Sequence, residues 1–182
     1  MTARRLITSL TVACLASAAL SGCASSGARV AGNPTPQTTA AFERLKSLAG
    51  TWEMADEKGQ RQTASVFAVT ANGSAVREIM FPGMPHEMTN VYHMDGPNLI
   101  VTHYCAGGNQ PRMKATPADL AADGSMRFGF DSISNLKDAT GEYMAELTLK
   151  PSGTDKLTQE WNSMKEGKKT EHVVFAMDRK RG

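Results

Sequence analysis

Between residues 86 and 112 the sequence gathers His86, Glu87, His93, His103, Tyr104, Cys105, Asn109, Gln110 and Arg112, and with them three of its four histidines. Imidazole, carboxylate, phenol and thiol are the groups that acid–base and nucleophilic chemistry draws on. Their spacing limits which of them can meet. With a turn over residues 95–98, marked by Asp95-Gly96-Pro97-Asn98, the flanking runs form a hairpin. Asn90 then faces His103, Met88 faces Cys105 and Tyr92 faces Val101, all on one side of the sheet. The other side carries Glu87, Thr89, Val91 and His93 against Ile100, Thr102 and Tyr104. His93 and His103 thus point to opposite faces, and only a bulge would bring both into one cavity. The face holding Met88, Asn90, Tyr92, Met94, Leu99, Val101, His103 and Cys105 is apolar with a few polar groups, the makeup of a ligand pocket, and is expected inside. The opposite face would make an equally polar pocket and is the alternative.

Each group also has a plain structural role. His103 beside Asn90 reads first as a hydrogen-bonded pair. Cys105 reads as an inert thiol unless His103, two positions away, activates it. Glu87 and Arg112 can pair across a rim, and Asn109-Gln110 before Pro111 can shape a loop. The sequence has no Gly-x-Ser-x-Gly, His-Glu-x-x-His, Gly-x-Gly-x-x-Gly or P-loop pattern, so no motif fixes a mechanism. Binding is therefore favoured over catalysis, with a small-molecule enzyme built on His103, Glu87 and Tyr104 as the catalytic alternative. Met80, Met84, His86 and Met88 form a run of thioethers and imidazole of the kind that suits Cu(I), although Pro82 and Pro85 interrupt it.

The elements that would position these groups are short and β-rich. Phe42, Leu45 and Leu48 have the spacing of one helical face, stopped by Gly50. Strands are predicted over 51–55, 63–70, 75–81, 87–94, 99–105, 112–116, 125–132, 143–150, 157–163 and 170–177, separated by breaks such as Asn72-Gly73 and Pro82-Gly83. With no helices between them they must pair antiparallel and in sequence, and a meander of about ten strands closes on itself to remove its edges. The expected fold is all-β: a single antiparallel up-and-down β-barrel with a short N-terminal helix. The alternative is an open sandwich. Trp52 and Trp161 are expected in its core.

The first residues read as an address. Arg4 and Arg5 precede an apolar run from Leu6 to Leu20, too short to span a bilayer comfortably, which ends in Leu20-Ser21-Gly22-Cys23. This resembles a bacterial lipobox. The resemblance implies a signal peptide over 1–22, lipidation of Cys23, a periplasmic location on a membrane anchor and, from Ala24 at the next position, the outer membrane. Residues 23–41, rich in Ala, Ser, Gly, Thr and Pro, would carry the lipid and a flexible tether, and 42–182 the barrel domain. Arg4 and Arg5 account for the whole formal charge of +2, so the remainder is near neutral and its charge does not argue for nucleic acid; the one basic run, Arg179-Lys180-Arg181, reads as a solvated tail, with a phosphate or membrane patch as the alternative. Of the three cysteines, Cys14 would leave with the signal and Cys23 would be lipidated. That leaves Cys105 without a disulfide partner in its own chain. Nothing here sets the oligomeric state.

Leu48-Ala49-Gly50-Thr51-Trp52 resembles the opening of calycin-type barrels, which include lipocalins, fatty-acid-binding proteins and nitrobindin-like haem proteins. Phe81-Pro82-Gly83, His86-Glu87-Met88, Val91-Tyr92-His93-Met94-Asp95-Gly96, Thr102-His103-Tyr104-Cys105 and Gly108-Asn109-Gln110-Pro111 resemble an uncharacterised bacterial family of calycin-like proteins. The resemblance spans about residues 42–178 and implies the barrel and a ligand cavity, but no reaction. It makes haem a cofactor to consider, with His172 in the last strand as the residue that could take the proximal role. The ligand expected from the hairpin is small and mostly apolar, oriented by Asn90, His103 and Arg112.

Overall fold

The computed structural model describes residues 30–181. The signal peptide, Cys14, the lipidation site at Cys23 and the first part of the expected tether lie outside the described residues. The rest is one helix, α1 (Pro36–Ser47), and ten strands: β1 (Gly50–Ala55), β2 (Arg61–Thr70), β3 (Ala75–Met80), β4 (Met88–Asp95), β5 (Asn98–Tyr104), β6 (Gln110–Ala115), β7 (Met126–Ser134), β8 (Tyr143–Ser152), β9 (Lys156–Lys165) and β10 (Lys168–Arg179). Each strand pairs antiparallel with its neighbours in sequence, and β1 pairs with β10 to close the barrel. The closure is brief, Trp52 opposite Arg179 and Glu53 opposite Asp178.

The helix starts earlier than the apolar spacing indicates. Thr35 is its N-cap, its hydroxyl accepting from the Thr38 N–H at 3.1 Å, and Pro36 takes the first turn, where a missing N–H costs nothing. Residues 36–41, expected in the tether, are therefore helical; the polar Gln-Thr-Thr stretch hides a cap that periodicity does not register. α1 closes one end of the barrel. Thr38 donates to the Pro97 carbonyl at 2.6 Å and Gln37 to the Leu120 carbonyl at 2.8 Å, which ties the helix to the β4–β5 turn and to the segment before β7. Phe42, Leu45 and Leu48 are buried and join the core with Trp52. The Trp52 indole N–H donates to the Leu48 carbonyl at 2.8 Å, and the Arg179 guanidinium lies 4.4 Å from the centre of its ring.

Alternation sets the rest of the core. On β4 and β5, Asn90, Tyr92, Leu99, Val101 and His103 are all buried. Above the helix end, Tyr92 sits between Phe67, at 6.4 Å, and Phe128, at 5.9 Å between ring centres. The next layer is polar. Glu78 is fully buried on β3, and its carboxylate accepts four hydrogen bonds. Oε1 takes the Ser65 hydroxyl at 2.6 Å and the Gln159 amide at 2.5 Å; Oε2 takes the Asn90 amide and the Tyr92 hydroxyl, both at 2.7 Å. A carboxylate has about four lone-pair sites, so this one is saturated. Burial, and then the Glu78 charge, hold the Tyr92 hydroxyl well above the ordinary tyrosine pKa, so it remains a donor.

Glu78→Gln places an NH2 group where two donors already converge. It is expected to destabilise the barrel by about 2–3 kcal/mol, read as a lowered urea midpoint with an unchanged slope.

Candidate functional site

The end of the barrel away from α1 is where chemistry-bearing groups meet open space. β3 and β4 are joined there by residues 81–87. Phe81 starts this loop with φ of +52°, a left-handed conformation that a bulky side chain adopts only under strain. Its N–H donates to the Ala64 carbonyl at 2.8 Å, and its ring is held 5.3 Å from Phe175 and 4.9 Å from His86. Glu87 accepts from the Gly83 N–H at 2.6 Å and so shapes the loop. A recess of about 600 Å³ opens beside it, walled chiefly by Met54, Phe81, Pro82, Met84 and Phe175.

Beneath the recess lies a chamber of about 50 Å³, lined by Met80, Met88, His103, Met144, Trp161 and Phe175, with Val173 at its side. Phe175 lines both spaces. Strand register explains the assembly. Met80 is paired with Met88 across β3 and β4, and His103 lies beside Met88 on the same face through its pairing with Asn90. The His103 ring packs 4.9 Å from Trp161.

His103 is 1% exposed, and its Nδ1 is 2.7 Å from Asn90 Oδ1. The Asn90 amide nitrogen is committed to Glu78, so Oδ1 accepts and Nδ1 carries the proton. Nε2 is then the unprotonated nitrogen. It is buried, and among the described residues no hydrogen-bond partner reaches it. Burial pushes the His103 pKa down to about 4, so the ring is neutral at physiological pH.

The expected site residues divide. Met88, Asn90, Tyr92 and His103 face the interior as predicted, but Asn90 and Tyr92 are saturated by Glu78 and His103. Cys105 does not face Met88: β5 ends at Tyr104, and the Cys105 sulfur instead accepts from the Gly107 N–H at 3.4 Å in the loop. Met94 is exposed although it shares the inner parity. His93 lies on the outer face, its Nδ1 3.1 Å from the Met94 carbonyl, and Tyr104 is half exposed. Arg112 does not meet Glu87. It pairs with Asp131 and, at 3.3 Å, with Asp95. The Lys114 ammonium, followed by Arg112, holds the Asp131 carboxyl below the usual range. Asn109, in the loop before β6, donates to the Glu142 carbonyl at 3.1 Å, and Gln110, the first residue of β6, donates to the Gly108 carbonyl at 3.1 Å.

No constellation of His103, Glu87 and Tyr104 forms, since Glu87 serves the loop and Tyr104 points outward. Of the run considered for copper, Met80 and Met88 are inside while Met84 and His86 belong to the outer recess. His172, considered for haem, is exposed on the outer face of β10, 3.0 Å from Asn162, while its neighbour Val173 points in. Among the described residues no group of three or more His, Cys, Asp or Glu side chains could hold a metal ion.

Sequence reasoning missed Glu78, Gln159, Ser65, Met144 and Phe175. For Glu78 a signal existed: Val76, Glu78 and Met80 share one parity, so a charge sits in an inward register. A comparison of the chain with protein-family models and with curated proteins returns no match.

The depressed His103 pKa has a thermodynamic consequence. An unfolded histidine takes up its proton near pH 6.5, whereas the folded one resists until about pH 4. Stability is therefore full above pH 6.5 and falls by about 3 kcal/mol as pH drops from there to 4. Urea unfolding between pH 7 and 4.5 should show this slope, and His103→Phe should flatten it.

Proposed function

We propose that this chain is a lipid-anchored periplasmic barrel of the calycin-like type that binds a small, mostly apolar ligand. The observation that carries the binding reading is the largely apolar recess beside a small apolar chamber, with Phe175 lining both. Ligand sites are concave and apolar with few polar groups, and this end of the barrel has that makeup. The chamber is small, so the ligand body occupies the recess and only its tip enters the barrel. Entry passes Phe81 and Phe175, whose edge contact separates the two spaces.

The anchor rests on Arg4, Arg5, the apolar run to Leu20 and the Leu20-Ser21-Gly22-Cys23 sequence. In this reading Cys23 holds the lipid at the outer membrane, and the residues between it and Thr35 give the barrel reach. No partner other than membrane and ligand is needed, and the near-neutral charge beyond Arg5 gives no argument for nucleic acid.

Native mass spectrometry of the chain purified from a bacterial periplasm should show a retained small molecule. Val173→Phe, which fills the chamber at an overpacking cost of about 1–3 kcal/mol, should remove it while the fold persists. A clean unliganded mass from the parent chain, with no small molecule regained from a membrane extract, would sink the reading. Separately, palmitate labelling in cells should mark the parent chain and be lost in Cys23→Ser.

A further inference from the structure

Charge is missing from the wall of the recess beside loop 81–87. No Asp, Glu, Lys or Arg side chain lines it; Gln62, Thr63 and His86 are its polar residues, and the rest of the wall is thioether, phenyl ring and proline. This is a local property. A second recess of about 530 Å³, around Glu53, Arg61 and Asp178, is lined by charged side chains throughout. The side chains of Gln62, Thr63 and His86 have no hydrogen-bond partner among the described residues, so they are free to bond an uncharged substituent of a guest.

Rings make up much of the remaining wall. Phe81 lies 4.9 Å from His86 at an interplanar angle of 50°, and 5.3 Å from Phe175 at 73°. The rings are inclined to one another, so the recess offers a guest both faces and edges. Met54 and Met84 add thioethers, and Met84 is 47% exposed.

We propose that the ligand is a neutral aromatic molecule whose ring lies in the recess against Phe81, His86 and Phe175. The inference rests on the ligand-binding reading above and narrows it to a chemical class.

A carboxylate or phosphate in the recess would give up hydration with no Lys or Arg on the wall to replace it. An ammonium group would find ring faces but no carboxylate. A neutral guest avoids both costs, and its hydroxyl, carbonyl or amide can bond Gln62, Thr63 or His86. A saturated body gains from these walls only the area it removes from water. A ring of the same size gains that area together with edge-to-face contact with Phe81 and Phe175 and sulfur contact with Met54 and Met84. The recess volume of about 600 Å³ lies in the ordinary range of small-molecule pockets and admits a fused-ring body.

The test uses the full chain and four probes on one skeleton: 2-naphthalenemethanol, its decahydro analogue, 2-naphthoate and 2-naphthylmethylammonium, all at pH 7. Binding is followed by the carbon-13 methyl resonances of the methionines, with Met54 and Met84 as reporters of the recess. The aromatic alcohol should bind at least about fivefold tighter than the saturated one and at least about tenfold tighter than either ion, and should move both reporters. Phe81→Gly removes one ring, and glycine adopts the left-handed backbone at 81 freely; it should bring the two alcohols within about twofold. Should that variant fail to fold, the ratio in the parent chain decides. Equal binding of the two alcohols, equal binding of either ion, or a bound aromatic alcohol that leaves Met54 and Met84 unmoved overturns the class. Failure of all four probes to bind overturns it as well, and the broader binding reading is then decided separately by whether the chain from the periplasm retains a small molecule.

Discussion

The interior of this barrel is organised around one buried carboxylate. Desolvating a charge is costly unless hydrogen bonds replace its hydration, and Glu78 has four such bonds, drawn from β2, β4 and β9. The arrangement costs the core some apolar volume. In exchange it fixes register, because a one-residue slip of β3 would carry the charge outside and leave Ser65, Asn90, Tyr92 and Gln159 unsatisfied together. It also fixes a tautomer. Reversing the Asn90 amide would turn an oxygen toward Glu78, so the direction of the amide is settled, and with it the proton on His103. A property of Nε2, at the far side of the network, follows from the carboxylate two residues away.

The two ends of the barrel are stabilised differently. At the α1 end the apolar residues Phe42, Leu45, Leu48 and Trp52 pack densely and the polar ties are to backbone carbonyls. At the other end Phe81 adopts an unfavourable backbone conformation, which its ring contacts and its bond to Ala64 must offset. Strain at Phe81, a small chamber and the orphaned His103 Nε2 coincide at that end. Catalytic and binding groups tend to gather where local rules are broken and the cost is met elsewhere.

Much of the architecture was legible in the sequence, because alternation and turn chemistry are local. The Asp95-Gly96-Pro97-Asn98 turn fixed the hairpin register, so the facing of Asn90 by His103 and Tyr92 by Val101 follows from counting, and the structure has those pairs. Counting fails where a strand stops. Nothing in Tyr104-Cys105-Ala106 marks the end of β5 before Cys105, so the thiol was placed on an inner face it does not reach. The Asn90–His103 pair was legible; its dependence on Glu78 and Gln159 was not, since Gln159 lies 81 residues from Glu78 along the chain. Met144 and Phe175 were invisible for the same reason: they reach the chamber from β8 and β10, across the barrel.

These distances along the chain bear on what the site is for. A histidine placed only to fill space could pack against Trp161 with either nitrogen satisfied. Here Nδ1 is bound and Nε2 is left facing carbon and sulfur, although a buried acceptor without a partner is costly. A leucine or methionine at 103 would remove that orphan only by stranding the buried Asn90 Oδ1, which accepts from Nδ1. The charged network that spans three other strands sets the tautomer of this ring, so the direction of its free lone pair is a property of the whole barrel and not of His103 alone.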